Sequence, residues 1–203
     1  VSVEGVYFEA LYAGSEDPWG FRTRWYERRK RSLTLACLPR ERYVRAFEPG
    51  SSIGVLTRGL ADRCDSLLAW EGAPEAVARA RADLADAPHV EVVRARVPER
   101  WPRGAFDLVV LSELLYYFDD GDLGVLLDRT ADSLAGGGTL VAVHWRHPVA
   151  DHVRSGDEVH RAVAARAELA RTACHEERDF LLEVYEAAGG GAPCSVAERE
   201  GLV

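Results

Sequence analysis

The sequence predicts a doubly wound α/β fold, a mostly parallel Rossmann-like sheet finished by a C-terminal antiparallel hairpin. Three observations carry this. A strand pattern from Tyr43 to Phe47 runs into Glu48 and the turn Pro49-Gly50-Ser51-Ser52-Ile53-Gly54, then into a helical pattern. One helix length later a second apolar run, Ser66 to Trp70, ends on another acid, Glu71. From there strand and helix patterns alternate, which argues parallel strands joined by right-handed crossovers. Two strands, each closed by a carboxylate and separated by a glycine turn and one helix, suit a nucleoside. The turn lets backbone N–H groups approach the ligand, and the second carboxylate can accept both ribose hydroxyls.

Ahead of that unit lie Tyr7-Phe8, Leu11-Tyr12 and the turn Asp17-Pro18-Trp19-Gly20-Phe21. A helix is expected from about Arg22 to Ala36, stopped near Leu38-Pro39. Trp19 is costly to leave in water; it reads either as packing between helix and sheet or as a lid over a ligand. The helix after the first strand is expected over about Ser52 to Arg63, and Pro74 opens the next one. His89 to Val93 alternates as a third strand. The nearly continuous apolar run Phe106 to Leu111 reads as a central parallel strand covered on both faces. Leu123 to Leu134 is an amphipathic helix ended by Gly136-Gly137-Gly138, and Thr139 to Val143 is the fifth strand. A helix over about Asp157 to Leu169 leads into two strands, Ala170 to Cys174 and Phe180 to Tyr185, paired across His175-Glu176-Glu177-Arg178. Gly189-Gly190-Gly191 opens a loose end. Residues 1–40 are therefore expected as an N-terminal lid and helical segment of the same domain, 41–188 as its core and 189–203 as a tail.

Composition bounds the function. With 203 residues, 47% hydrophobic and 29% charged, the chain is long enough for one sizeable core. A net charge of −8 argues against a nucleic-acid backbone as partner, which favours a basic face. It suits a cationic cofactor or an amine, or simply a solvated acidic surface. No apolar run is long enough to cross a membrane and no secretory signal is read at the start. Cys37, Cys64, Cys174 and Cys194 are scattered without a CxxC pair, so a reduced, cytoplasmic protein is expected. The chain has no methionine, even at position 1, which reads as an alternative start codon or a trimmed chain.

A dinucleotide turn wants G-x-G-x-x-G, and Val55 stands where that pattern places its last glycine. The spacing E-x-G-x-S-x-G from Glu48 to Gly54 instead resembles the class I S-adenosylmethionine-dependent methyltransferases, with Ser52 in place of a glycine. Phe106-Asp107-Leu108-Val109-Val110 and Leu134-Ala135-Gly136-Gly137-Gly138-Thr139-Leu140 resemble their fourth and fifth strands, and the hairpin their antiparallel seventh, which implies a seven-stranded sheet. More narrowly, Asp17-Pro18-Trp19-Gly20-Phe21, Trp25-Tyr26-Glu27-Arg28-Arg29-Lys30, the Glu48–Gly54 turn and Ser112-Glu113-Leu114-Leu115-Tyr116-Tyr117 resemble the NodS-like methyltransferases. Those are small enzymes named for the nodulation N-methyltransferase, which methylates the amine of a deacetylated chitooligosaccharide.

The resemblance implies S-adenosylmethionine as cofactor, with S-adenosylhomocysteine as product. Glu48 would face its methionine part, Gly50, Ser51 and Ser52 would wrap its amino-acid portion, and Glu71 would hold the ribose hydroxyls. Gly72 and Ala73 would lie beside adenine. The adenine-contact loop of many relatives carries an acid after the third strand; Arg94-Ala95-Arg96-Val97-Pro98 has none, so adenine falls to backbone groups near Arg96 and Val97. Trp19 and Arg29 resemble the residues that cover the cofactor and pair its carboxylate, a surface salt bridge being the alternative for Arg29. Ser112 is counted with the cofactor-binding set.

The substrate side is expected past the carboxyl ends of the fourth and fifth strands. Methyl transfer needs a neutral nucleophile held near the methyl group, and an ammonium must first lose a proton. His144 is the first choice of base, a hydrogen-bonded strand-end histidine being the alternative. Tyr116 and Tyr117 could bind an amine by hydroxyl or ring face. His144, His147, Asp151, His152 and His160 are of metal-ligating types, but their spacing fits no strong motif and no metal is expected. The reading is N-methylation of a small-molecule acceptor, an amine on a sugar or natural product. O-methylation, a non-catalytic protein that kept the fold, and a nicotinamide dehydrogenase are the competing readings. The sequence leaves the oligomeric state open.

Overall fold

The computed structural model describes residues 1–189 and 192–203. Its sheet has seven strands in the order β3-β2-β1-β4-β5-β7-β6. They are β1 (Tyr43–Pro49), β2 (Cys64–Glu71), β3 (Val90–Arg94), β4 (Phe106–Ser112), β5 (Leu134–Trp145), β6 (Leu169–Glu176) and β7 (Phe180–Ala187). Pairs β1–β2, β2–β3, β1–β4 and β4–β5 are parallel, whereas β7 is antiparallel to both β5 and β6. The chain therefore winds outward from β1 in one direction and from β4 in the other. The crevice above their carboxyl ends is the switch point where open α/β sheets bind ligands.

Helices cover both faces. On one, Leu33, Leu35 and Leu60 of α2 (Trp25–Ala36) and α3 (Val55–Ala61) pack on Tyr43, Leu67, Leu108, Val110 and Val141. On the other, Leu123, Leu126 and Leu127 of α5 (Asp120–Ser133) and Val159 and Val163 of α6 (Gly156–Ala164) pack on Phe47, Phe106, Val109 and Leu140. Burial on two sides is why β4 is apolar from Leu108 to Leu111, with Asp107 near its start accepting from Val44 and Arg45 N–H. Helix α4 (Pro74–Asp83) seals β2 and β3 through Val77 and Ala80, joined by Leu84 just past its end.

Several boundaries differ from expectation for local reasons. Helix α1 (Gly5–Gly14) has no side-chain cap at Glu4, so no start signal announced it. The expected helix from Ser52 begins at Val55, because Gly54 takes φ +79° and Ser52 to Gly54 form a turn. Asp119 caps α5 by accepting from Asp122 N–H, so that helix starts at Asp120. The triple glycine does not end it as a loop; it lies inside β5, with Gly137 at φ +73° and a register shift against β4. The helix expected to reach Leu169 stops at Ala164, and Leu169 already belongs to β6. In the tail, α7 (Val196–Arg199) carries a Ser195/Glu198 capping box, and Arg199 pairs with Glu186. Gly190 and Gly191 of the expected loose end lie outside the described residues. Among the described residues, no helix is long and apolar enough to cross a membrane.

Candidate active site

The turn after β1 is folded back onto the end of β2. Gly50 N–H and Ser51 N–H both donate to Trp70 C=O, at 2.8 and 3.0 Å. Gly50 has φ +73°, and a Cβ there would stand 3.0 Å from a Leu114 methyl, so both backbone and space favour glycine. Ser52 sits at φ +54°, a left-handed conformation that a glycine adopts without strain. Its N–H donates to Glu71 Oε2 at 3.0 Å, while Ala73 N–H donates to Glu71 Oε1 at 2.8 Å. Each carboxylate oxygen of Glu71 keeps capacity for a further bond. Burial raises its pKa, opposed by these backbone donors.

Glu48, at the end of β1, is 3% exposed, and its Oε2 has no hydrogen-bond partner among the described residues. Burial pushes its carboxyl up to about 8. A buried carboxyl with an orphaned oxygen is what a cationic ligand group would satisfy.

A cavity of 480 Å³ opens above these strand ends. Glu48, Gly50, Ser51 and Ser52 line it together with Glu71, Gly72 and Ala73; Arg96, Val97 and Ser112 lie along its walls. Trp19 closes one side, edge-on to Tyr12 at 5.6 Å and tilted against Phe21 at 5.6 Å. Trp19 is thus both packing and wall. Glu99, just beyond the stretch read as lacking an acid, also lines the cavity. So does Arg31, whose guanidinium meets only the Phe21 and Glu27 carbonyls and no carboxylate among the described residues.

The far end, past β4 and β5, is polar and aromatic. Glu113 follows β4 with φ +52°. Its Oε1 accepts from Lys30 Nζ at 2.6 Å; its Oε2 accepts from the Tyr116 hydroxyl and, at 3.1 Å, from Trp145 N–H. Lys30 is buried and also pairs with Glu27 at 3.1 Å. Two carboxylates around one ammonium leave this end negative. Tyr26, Tyr116, Tyr117, Trp145 and His152 supply rings to the same wall.

Two expected site residues are not brought to the cavity. Arg29 makes a fork of two bonds, 2.6 and 2.7 Å, to Glu177 between β6 and β7; the surface salt bridge is the correct alternative. His144 is fully buried behind the wall. Its Nε2 lies 3.2 Å from Leu115 N–H and accepts that bond, so Nδ1 carries the proton and donates to His160 Nε2 at 3.2 Å. His160 in turn donates from Nδ1 to Glu183 at 2.6 Å. Burial holds the His144 imidazole well below its usual pKa. It has no free nitrogen to take a substrate proton, so the hydrogen-bonded strand-end histidine, not a base, describes it. The remaining histidines weighed as ligands diverge: His147 meets Asp179 at 2.7 Å, and His152 stacks on Tyr116.

Reading the sequence also missed Lys30 and Arg31. Tyr26, Glu27, Lys30, Arg31 and Thr34 all line the cavity, at the spacing of one helical face, but the cationic run hides that face in the sequence. The whole arrangement offers a carboxylate with two backbone donors, an orphaned carboxyl, a cation without an acid, and a separate anionic aromatic end. It fits a nucleoside bearing an amino-acid group, with a second molecule beside it.

The family profile described as Nodulation protein S (NodS) matches residues 11–154. Nodulation protein S of Sinorhizobium fredii is 32% identical over 107 residues, 52% of this chain and 50% of that protein. The Rhizobium tropici protein of the same name is 30% identical over 129 residues, covering 63% and 54% of the two chains. The chain spans about half the length of these curated relatives. The crystal structure of a Pseudomonas syringae chain assigned as a methyltransferase is 48% identical, with a TM-score of 0.72, over 80% of this chain and 99% of that one. N-methyltransferase NodS from Bradyrhizobium japonicum, solved with S-adenosylhomocysteine, shares the fold at a TM-score of 0.81 and 24% identity, over 90% and 97% of the chains. With a family match across most of its length, and with the sheet order and switch-point cavity described above, the chain belongs to the NodS family.

Proposed function

We propose that the protein is an S-adenosylmethionine-dependent methyltransferase acting on a small molecule. The acceptor is an amine on a sugar or natural product. The observation that carries this is Glu71, held at the cavity floor by Ser52 and Ala73 N–H with acceptor capacity to spare for a ribose diol. Bound cofactor would supply the methyl group as an electrophile on a sulfonium.

Glu71 would then bind the ribose, Gly50, Ser51 and Ser52 would wrap the amino-acid portion, and Glu48 would take its ammonium. Arg31 replaces Arg29 as the partner of its carboxylate, since it lines the cavity without an acidic partner among the described residues. Adenine would lie among Gly72, Ala73, Arg96 and Val97, with Glu99 able to accept from its amino group. The net negative charge around Lys30, and the rings of Tyr26, Tyr116 and Trp145, favour a cationic acceptor over a neutral hydroxyl. Residues 1–40 act as a lid: Val3 N–H donates to Tyr117 C=O, and Tyr7 OH to Asp151, across the cavity mouth. All four cysteines are free thiols, which supports a reducing, cytoplasmic setting.

Calorimetry with S-adenosylhomocysteine and with NAD, followed by methyl transfer from labelled cofactor to glucosamine, tests the reading. Binding of the first ligand alone and label in the amine are expected. No binding of S-adenosylhomocysteine would refute it; binding without transfer to amines or alcohols would favour the non-catalytic reading.

A further inference from the structure

The fold gives the acceptor end a proton acceptor in a place the strand pattern did not indicate. We propose that His152 takes the proton from the methyl-accepting amine. This rests on the methyltransferase reading above.

His152 lines the cavity at its anionic aromatic end. Neither ring nitrogen has a hydrogen-bond partner among the described residues, which sets it apart from His144, His147, His160 and His175, each bound to a neighbour. Its ring lies flat on Tyr116, centroids 3.8 Å apart at 14°, and edge-on to Tyr117 at 5.1 Å. The loop that carries it is pinned to the same turn. Val153 N–H and Arg154 N–H both donate to Tyr116 C=O, at 2.9 and 3.4 Å, and Arg154 Nε donates to Phe118 C=O at 2.9 Å. A ring fixed by stacking and by backbone bonds on its C-terminal side is preorganised.

The other acceptors at this end are engaged. Glu113 accepts from Lys30, Tyr116 and Trp145, and Asp151, exposed at the rim, accepts from the Tyr7 hydroxyl. The groups around His152 are Asp151 beside it, Glu113 past β4 with Lys30 behind it, Tyr116 and Tyr117 on the turn, and His144 in β5. Burial lowers the His152 pKa against the opposing pull of Glu113 and Asp151, so the ring enters neutral and able to accept.

The chemistry balances. The acceptor arrives as R–NH3+, and one imidazole nitrogen takes a proton, leaving R–NH2. The nitrogen lone pair forms the N–C bond as the C–S bond breaks, its electron pair going to sulfur. Products are R–NH2+–CH3, neutral S-adenosylhomocysteine and an imidazolium, which returns its proton to solvent at the half-exposed edge. Glu113 and Tyr26 flank the site as charge and ring partners of the ammonium.

The test uses the full chain with His152→Gln and His152→Ala. S-adenosylhomocysteine affinity should stay within about twofold, while turnover on glucosamine falls roughly 10²–10⁴-fold, the range for a general base. The wild-type rate should rise through a limb below neutrality. In the variants that limb should be replaced by a rise that tracks the free amine, and added imidazole should restore part of the His152→Ala rate. Independently of turnover, the histidine ring signal that disappears in His152→Gln should shift when glucosamine is added to the S-adenosylhomocysteine complex. Wild-type turnover and pH profile in both variants would overturn the proposal and leave the methyltransferase reading intact. A loss of cofactor affinity matching the loss of turnover would reduce His152 to a structural role, and a ring signal indifferent to glucosamine would also overturn the proposal. Failure of the wild type itself to bind S-adenosylhomocysteine would overturn the parent reading instead.

Discussion

Glu48 makes the stability of this protein fall as pH rises through neutrality. Its side chain is 3% exposed, and burial moves its carboxyl from the ordinary 4.5 up to about 8. Between those values the folded chain holds a proton that the unfolded chain has released. Stability therefore declines with pH, by about 1.4 kcal/mol per unit for one such group. Across the window this reaches on the order of 5 kcal/mol, complete once the pH exceeds the folded value. Glu48→Gln cannot ionise. At pH 5 it should be less stable than the parent by about 1–3 kcal/mol, because the amide brings donors to a site whose Oε2 already lacks a partner. At pH 9 the order should reverse. Glu71 is also raised by burial and contributes to the parent's slope, but it is common to both proteins and cancels in the difference. Urea unfolding from pH 5 to 9 reads the two curves directly. Parallel curves would refute the protonated Glu48. A ligand ammonium placed against Glu48 would favour the ionised form, so S-adenosylhomocysteine should release close to one proton on binding at pH 7 and little at pH 9. Calorimetry in phosphate and in Tris measures that release, and a binding enthalpy equal in both buffers would deny it.

Glu71→Ala should weaken S-adenosylhomocysteine by about 1–3 kcal/mol, with Glu71→Gln between, and wild-type affinity in both would make Glu71 a mere loop tie. His144→Ala should cost about 2–4 kcal/mol of stability, since Leu115 N–H loses its acceptor and a buried ring is removed, yet it should leave the pH limb of turnover in place; loss of the limb would return the base to His144. Glu113→Gln strips buried Lys30 of one of its two carboxylates and should destabilise by about 3–5 kcal/mol in urea unfolding, whereas a neutral effect would mean Glu27 alone suffices. Hydrogen exchange between Tyr12 and Lys30 should slow when S-adenosylhomocysteine binds, and equal rates would make the N-terminal segment ordinary packing.

The sheet was legible because its signals are local. The middle of a buried central strand must be apolar, as from Leu108 to Leu111 of β4, and the strands β1 and β2 close on the acids Glu48 and Glu71. Rotation about a helix was not legible where charge is uniform. Arg28-Arg29-Lys30-Arg31 presents a cation in every direction, and residues two apart point to opposite sides. Arg29 consequently reaches Glu177 while Arg31 reaches the cavity. Which histidine reaches the cavity was not legible for a related reason. Strand alternation puts His144 on the face of Leu140, beneath α6, where His160 waits for it. His152 lies on an irregular loop with no period to read. Its place follows from stacking on Tyr116 and from the backbone bonds that Val153 and Arg154 make to Tyr116, which is distant in sequence.

Strain marks the same region independently. Among the described residues, Ser52 and Glu113 are the non-glycine positions with positive φ. A left-handed conformation costs such a residue roughly 1–2 kcal/mol, and it persists where surrounding bonds over-determine it. Ser52 follows β1 and Glu113 follows β4, the two adjacent strands that define the switch point. At Ser52 the bend turns N–H toward Glu71 and the hydroxyl toward Tyr12. At Glu113 it brings one carboxylate to Lys30, Tyr116 and Trp145 at once. Each strained residue is therefore tied to a different end of one cavity, the first to Glu71 and the second to the charged cluster of Glu113 and Lys30. Relaxing either would release the bonds that aim its partner, which is a physical reason for the chain to bend at the ends of these two strands.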